Sequence, residues 1–190
     1  MRTLRTKRLR LEPVRPANAA TLWNVLQAPH LREFQDLPDL SLDQFVAAVG
    51  DRPRTLRPGA AGRFEWLVYR SGGDAAIGWV SLRIAERTRS TGEIGYSIVA
   101  GQRGLGLASE AVGALVEEGF HKVALQRIRA YCVPDNLSSR GVLRNNGFED
   151  DGVLPHGATL AGKPVDVIAY TLERARWELK ATPNRSAIGS

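Results

Sequence analysis

The stretch QRGLGLA, residues 102–108, sets Gly104 and Gly106 where an alternating apolar pattern gives way to a helical one. Two missing Cβ atoms at such a junction let backbone N–H groups and a helix N-terminus face one point, which suits a phosphate or pyrophosphate. A Walker loop needs G-x-x-x-x-G-K-[ST], and the chain contains no such string. A dinucleotide fingerprint needs Gly or Ala at the sixth letter, but counting from Gly104 that letter is Ser109. The acidic residue expected about 20 positions later is also missing from RIRAYCV. The pattern that fits is [Q/R]-x-x-G-x-[G/A], met by Arg103, Gly104, Leu105, Gly106, Leu107 and Ala108. Ahead of the turn, alternation in EIGYSIV puts Glu93, Gly95, Ser97 and Val99 on one face, with Ile94, Tyr96 and Ile98 on the other. Glu93 is thus a carboxylate that can take a proton near the turn, or an ordinary strand-edge acid facing solvent.

These residues need a scaffold, and the patterning supplies a mixed one. RLRLEPV (8–14) alternates as a first strand. Asn18 is placed to cap a helix through about Ala28, with Ala20, Trp23 and Leu26 along one side. SLDQFVAAV opens with a Ser-x-x-Gln capping box, Ser41 to Gln44, and makes a second helix. Residues 50–63, rich in Pro, Gly and Arg, form a loop. Strands follow at 64–70, 75–84 and 93–99, with turns at SGGD and RTRSTG. From Gly106 to about Lys122, Ala108, Ala111, Val112, Leu115, Val116 and Phe120 repeat at helical spacing. RIRAYCV (127–133) is a strand, NLSSRGVLRNNG a short helix ended by glycine, and FEDDGVL and VDVIAYTLE two last strands. The strand-helix-strand step over 93–133 implies a parallel pair, and ligands favour the carboxyl ends of such strands. Trp23, Phe34, Trp79 and Tyr96 are expected mostly in the core, one or two of them flooring an acceptor pocket. Cys132 is expected inside.

Length and composition bound the partners. The 190 residues suit one domain over residues 1–179, with a polar, disordered tail over 180–190. A net charge of +6 permits an acidic partner and identifies none. The arginines are dispersed, without a basic-aromatic recognition motif, so nothing points to nucleic acid. A single cysteine excludes an internal disulfide framework, and His30, His121 and His156 lack ligand spacing, so no metal is expected. No apolar run approaches a membrane span and no secretory h-region opens the chain, so a cytoplasmic protein without membrane partners is expected.

Four blocks, LRTKRLRLEPVRPAN, GEIGYSIVAGQRGLGLASEAV, RIRAYCVPDNLSSRGVLRNNGF and DVIAYTL, stand in the order and spacing of the GNAT superfamily of acyl-CoA-dependent N-acetyltransferases. The chain resembles its RimJ/RimL-type ribosomal-protein N-terminal acetyltransferases over roughly residues 3–175. The resemblance implies a single-domain α/β (α+β) GNAT fold: a mixed central sheet of about 6–7 strands, splayed between the fourth and fifth, with about four helices. It implies acetyl-CoA as co-substrate, its pyrophosphate on the amides of 104–108 with Arg103 adding charge. The pantetheine arm would pair with backbone at Ile98, Val99 and Ala100, and an amide near Val99 or Ala100 could serve the oxyanion. Asn136 matches the asparagine that bonds the cofactor arm, unless it only caps its helix. Arg140, with Arg144 one turn on, could meet the outer phosphates or form a solvated face. Glu93 matches the base glutamate of histone-type members. The tyrosine that many members place seven residues after the asparagine is here Leu143, whereas Ser139 fits the N-x-x-S of the RimJ/RimL type, whose serine serves the leaving thiolate. A late glutamate used by some members has no counterpart in LPHGATLAGKPVD, which offers only His156 and Asp166. The implied acceptor is a primary amine, a protein N-terminus or a small molecule such as an aminoglycoside or polyamine. The alternative is a non-catalytic acyl-CoA-binding domain on the same scaffold. Relatives of this type often form homodimers.

Overall fold

The computed structural model describes residues 1–28 and 40–181, so the expectations for His30 and Phe34 lie outside the described residues. Strands β1 (Leu4–Arg5), β2 (Leu9–Pro13), β3 (Gly62–Arg70), β4 (Ala76–Ile84) and β5 (Thr91–Ile98) form an antiparallel succession. Helices α1 (Ala19–Leu26) and α2 (Leu42–Gly50) lie between β2 and β3. Helix α3 (Leu107–His121) then carries the chain to β6 (Arg127–Cys132), parallel to β5. Helix α4 (Leu137–Asn145), β7 (Glu149–Leu160), β8 (Lys163–Glu173) and α5 (Arg174–Ala181) follow. The eight described strands make one mixed sheet, ordered β1-β2-β3-β4-β5-β6-β8-β7.

One irregularity positions the site. β5 and β6 pair only as Thr91↔Arg127, Gly92↔Ile128 and Glu93↔Arg129. Beyond Glu93, β5 keeps its partner β4 as far as Ile98, and β6 keeps β8 as far as Cys132. The two strands therefore part and leave a wedge, as the resemblance implied. β3 and β4 are buried on both faces because helices cover each side. On one face Leu107, Ala111, Val112, Leu115, Val116 and Phe120 of α3 join Phe64, Trp66, Leu82 and Ile94 in the main core. Each such leucine, valine, isoleucine or phenylalanine side chain, fully buried, contributes about 1.5–3 kcal/mol. Leu107 takes the first core position expected of Ala108, which is only partly buried. On the other face α1 and α2 pack over Leu67, Tyr69 and Trp79.

Several local expectations are modified. The Ser41–Gln44 capping box forms reciprocally, at 3.2 and 2.8 Å. Asn18 makes no cap bond to α1. Its Oδ1 accepts from Arg15 N–H (2.7 Å) and its Nδ2 donates to Pro13 O (3.1 Å), closing a 3-10 turn instead. β7 and β8 extend well beyond the expected short strands into a long hairpin. Its turn is Ala161–Gly162, with φ of +50° and +74°, the double left-handed pair of a type I′ connection. Helix α5 was not expected. Trp177 anchors it against Phe120 and His121, with ring centroids 5.2 and 4.9 Å apart. No helix among the described residues is long and apolar enough to cross a membrane.

Candidate active site

A cleft of about 390 Å³ opens where β5 parts from β6. Its walls are Tyr96, Ser97 and Ile98 at the end of β5, the glycine turn with the first turn of α3, and the exposed side of α4 from Asn136 to Asn145.

The α3 wall is rich in unused donors. The first turn of any helix has N–H groups without intrahelical acceptors. α2 and α4 close theirs with Ser41 and Asn136, but the N-cap of α3 is Gly106, which has no side chain to offer. Gly104 and Gly106 sit at φ +75° and +71°, the left-handed region that glycine adopts readily, and the chain turns there into the helix. Leu107, Ala108 and Ser109 line the cavity at that point. Such a turn fits a pyrophosphate, since open amides and the positive end of a helix face one place.

Distant residues hold the turn. Arg8 Nη1 donates to Leu105 O (2.8 Å), while Arg8 Nε and Glu110 Oε2 pair at 2.6 Å. The Arg8 N–H and the Thr6 hydroxyl both donate to Glu110 Oε1, at 2.8 and 2.6 Å. Burial pushes the Glu110 carboxyl up, but these bonds outweigh it and hold the group below its ordinary value. Arg103 Nε donates to Ile98 O (3.1 Å), fastening the turn to the end of β5.

The α4 wall brings three functional side chains together. Asn136 Oδ1 accepts from Ser139 N–H (3.0 Å) and from the Ser138 hydroxyl (2.9 Å), so this asparagine caps α4 and lines the cleft. Ser139, in the first turn of α4, lies with its hydroxyl 2.9 Å from the Tyr96 hydroxyl. The Tyr96 hydroxyl also donates to Ser139 O, at 3.1 Å. Tyr96 therefore lines the cleft and is not simply a core ring. Nothing local in EIGYSIV announces a partner 43 residues away. Burial raises the Tyr96 phenol far above its ordinary value, although the Ser139 bond opposes the shift. Cys132 is buried beside this pair, as expected of a core residue, and burial raises its thiol.

Of the expected cofactor residues, Ile98, Arg103, Gly104, Gly106, Leu107, Ala108, Asn136 and Ser139 line the cleft. Others stand elsewhere for definite reasons. Val99 N–H donates to Ile77 O on β4 (2.9 Å), so that amide is already taken; neither Val99 nor Ala100 lines the cavity. Alternation then turns the main-chain groups of Ile98 and Tyr96 toward the wedge, making theirs the available strand amides. Leu105 is half exposed and gives its carbonyl to Arg8. Arg140 bends away, its Nε on the Tyr170 hydroxyl (3.3 Å) and its Nη1 on Pro134 O (3.4 Å), so it clamps the loop before α4. Glu93 lies on the opposite face of β5 from Tyr96, outside the cleft lining. It forms a 2.6 Å ion pair with Arg83 at the last rung of the parallel ladder. Tyr131, exposed, also faces away from Cys132. His156 and Asp166 do meet, through His156 N–H and Asp166 Oδ1 (2.9 Å), on the exposed hairpin.

A family model described as an acetyltransferase (GNAT) domain matches residues 8–149. The chain belongs to the GNAT acetyltransferase family. This GNAT enzyme is 28% identical over 173 residues to the uncharacterized N-acetyltransferase p20 of Bacillus licheniformis, covering 90% of this chain and 96% of that one. To the ribosomal-protein-serine acetyltransferase of Escherichia coli strain K12 it is 33% identical over 138 residues, 69% of this chain and 75% of the relative. A solved structure of RimL, a ribosomal L7/L12 alpha-N-protein acetyltransferase in complex with coenzyme A, matches with a TM-score of 0.75 at 19% identity. That match covers 90% of this chain and 98% of the other, and at this identity it speaks for the GNAT fold.

Proposed function

We propose that this acetyltransferase moves acetyl from acetyl-CoA to a protein α-amine, by direct attack in a ternary complex in the cytoplasm. The reading rests on the cleft lining, which among the described residues contains no carboxylate and no imidazole. The nearest acid on β5, Glu93, lies three residues from Tyr96, about 10 Å along the strand at its usual rise, and must leave Arg83 to accept a proton. A site so poor in bases suits an acceptor that arrives largely deprotonated. At pH 7 an α-amine (pKa about 7.7–8) is neutral several hundred times more often than a lysine amine (pKa about 10.4). The names of the ribosomal-protein acetyltransferase relatives point the same way.

Acetyl-CoA supplies the thioester that is attacked. The open amides of the α3 first turn hold its diphosphate, with Arg103 nearby. The Asn136 amide nitrogen is the part of that side chain left over from capping, and it is placed to bond the cofactor arm. An N–H of Tyr96 or Ile98, facing the wedge, is placed to donate to the oxyanion. Ser139 donates to the departing sulfur. Glu93, reached through water from the other face, can receive the amine proton. Coenzyme A release measured against short peptides with free N-termini, the same peptides blocked at the N-terminus but carrying lysine, and small amines tests the reading. Turnover confined to free N-termini is expected. Preference for a small amine would overturn the acceptor, and binding without turnover would make this a non-catalytic acyl-CoA-binding domain.

A further inference from the structure

Resting on the reading of Ser139 as the group that meets the leaving sulfur, we infer that Tyr96 is a positioning residue that sets the direction in which the Ser139 hydroxyl donates. The main chain of Ser139 is already fixed, because its N–H is bound by Asn136. Its hydroxyl is not fixed by the helix, and a serine hydroxyl rotates to suit its partners. Tyr96 supplies the missing constraint across the cleft. Its oxygen lies 2.9 Å from Ser139 Oγ and 3.1 Å from Ser139 O. Two hydrogens serve these three oxygens, which allows two arrangements. In one, the phenol donates to the Ser139 carbonyl and the serine hydroxyl donates back to the phenol. In the other, the phenol donates to Ser139 Oγ and the serine hydrogen is released toward the cleft. Negative charge on sulfur favours the second, where a polarised serine hydroxyl points at it.

The phenol orients and does not itself give up a proton. Burial holds Tyr96 well above the ordinary phenol value, whereas an alkyl thiol ionises near pH 8.5, so proton transfer from Tyr96 to the thiolate runs uphill. The balance of the reaction agrees. As the C–N bond forms and the C–S bond breaks, sulfur leaves with the electron pair and nitrogen sheds one proton. That proton, or one from water, neutralises the thiolate while Ser139 holds it by a hydrogen bond.

The test compares wild type, Tyr96→Phe, Ser139→Ala and the double variant by steady-state kinetics on an accepted peptide. Tyr96→Phe leaves the Ser139 hydroxyl unoriented and weakens its hydrogen bond to the developing charge, which should lower kcat roughly tenfold, with the KM for acetyl-CoA within about twofold. The double variant should be no slower than Ser139→Ala, since Tyr96 acts only through that hydroxyl. Reductions that multiply, or an unchanged kcat, overturn the inference, as does loss of a high-pH limb of kcat in Tyr96→Phe, which would make the phenol the acid. Placing 4-aminophenylalanine at position 96 restores an N–H donor and should recover most of kcat; failure to recover it counts against the inference, even where Tyr96→Phe is poorly folded. A wild type that transfers no acetyl would defeat the underlying reading instead.

Discussion

Replacing Gly106 by valine perturbs the cradle at its hinge. Gly106 is the N-cap of α3 at φ +71° and ψ 9°, and a Cβ there would meet only Arg8 Nη2, at 3.5 Å. The obstacle is therefore the backbone itself and not crowding. A left-handed conformation costs an L-residue roughly 1–2 kcal/mol, and a β-branched residue is a genuine outlier there. The variant relieves the strain by moving to negative φ, which re-aims the amides of Leu107 and Ala108 away from the cleft. Each charge-assisted bond lost to a phosphate is worth about 1.5–3 kcal/mol, so losing even one should lower acetyl-CoA affinity by roughly 10- to 150-fold by calorimetry. The melting temperature should drop by roughly 2–8 °C, at about 2–4 °C per kcal/mol for a chain of this size. Gly50, whose backbone is outside the left-handed region and whose Cβ would meet nothing within 4 Å, is the control; Gly50→Ala should leave affinity unchanged. A folded Gly106→Val protein that binds acetyl-CoA like wild type would refute the assignment of the cradle.

Asn136→Asp keeps an oxygen to cap α4 but loses the amide donor, so the melting temperature should hold while acetyl-CoA affinity falls. Asn136→Ala should lose both, with about 1 kcal/mol of stability gone with the cap. Wild-type affinity in Asn136→Asp would leave Asn136 as a cap alone. Glu110, with its carboxyl held below the ordinary value, contributes stability that is fully present above the unfolded-state value near 4.3 and is lost as pH falls through the depressed folded value. Glu110→Gln should therefore lower the melting temperature at pH 7 and flatten its decline below about pH 4.5; an equally steep decline would assign that acid sensitivity to other groups. Glu93→Gln should lower kcat at pH 7, whereas wild-type turnover would leave deprotonation to water.

What was legible in the sequence was local or periodic. The Ser41–Gln44 box needs only three residues of spacing, the α3 stripe is a repeat, and Gly104 and Gly106 show their backbone requirement by type. The split of β5 from β6 came through the family blocks, since no single residue marks where the ladder stops at Glu93. Long-range pairings were silent. Arg8 meets Glu110 across 102 residues and Tyr96 meets Ser139 across 43, and neither partner is unusual in its own segment. Arg140 looked free on a helix face until Tyr170 and Pro134 claimed it. Helix α5 has one aromatic anchor and otherwise little apolar periodicity, so its helicity depends on Trp177 finding Phe120 and His121. The β7–β8 hairpin was obscured by LPHGATLAGKP, whose glycines and prolines mimic a loop while the ladder runs on through a bulge between Leu154 and Ala158.

In the proposed function the wedge between β5 and β6 delivers an acyl thioester to Ser139. A crystal structure with coenzyme A bound tests it most directly. The diphosphate should lie on the amides around Gly106–Ser109, and the sulfur within hydrogen-bond reach of Ser139 Oγ beside the Tyr96 hydroxyl. Coenzyme A bound on another face, or lying in the cleft with its sulfur turned away from Ser139, would contradict it.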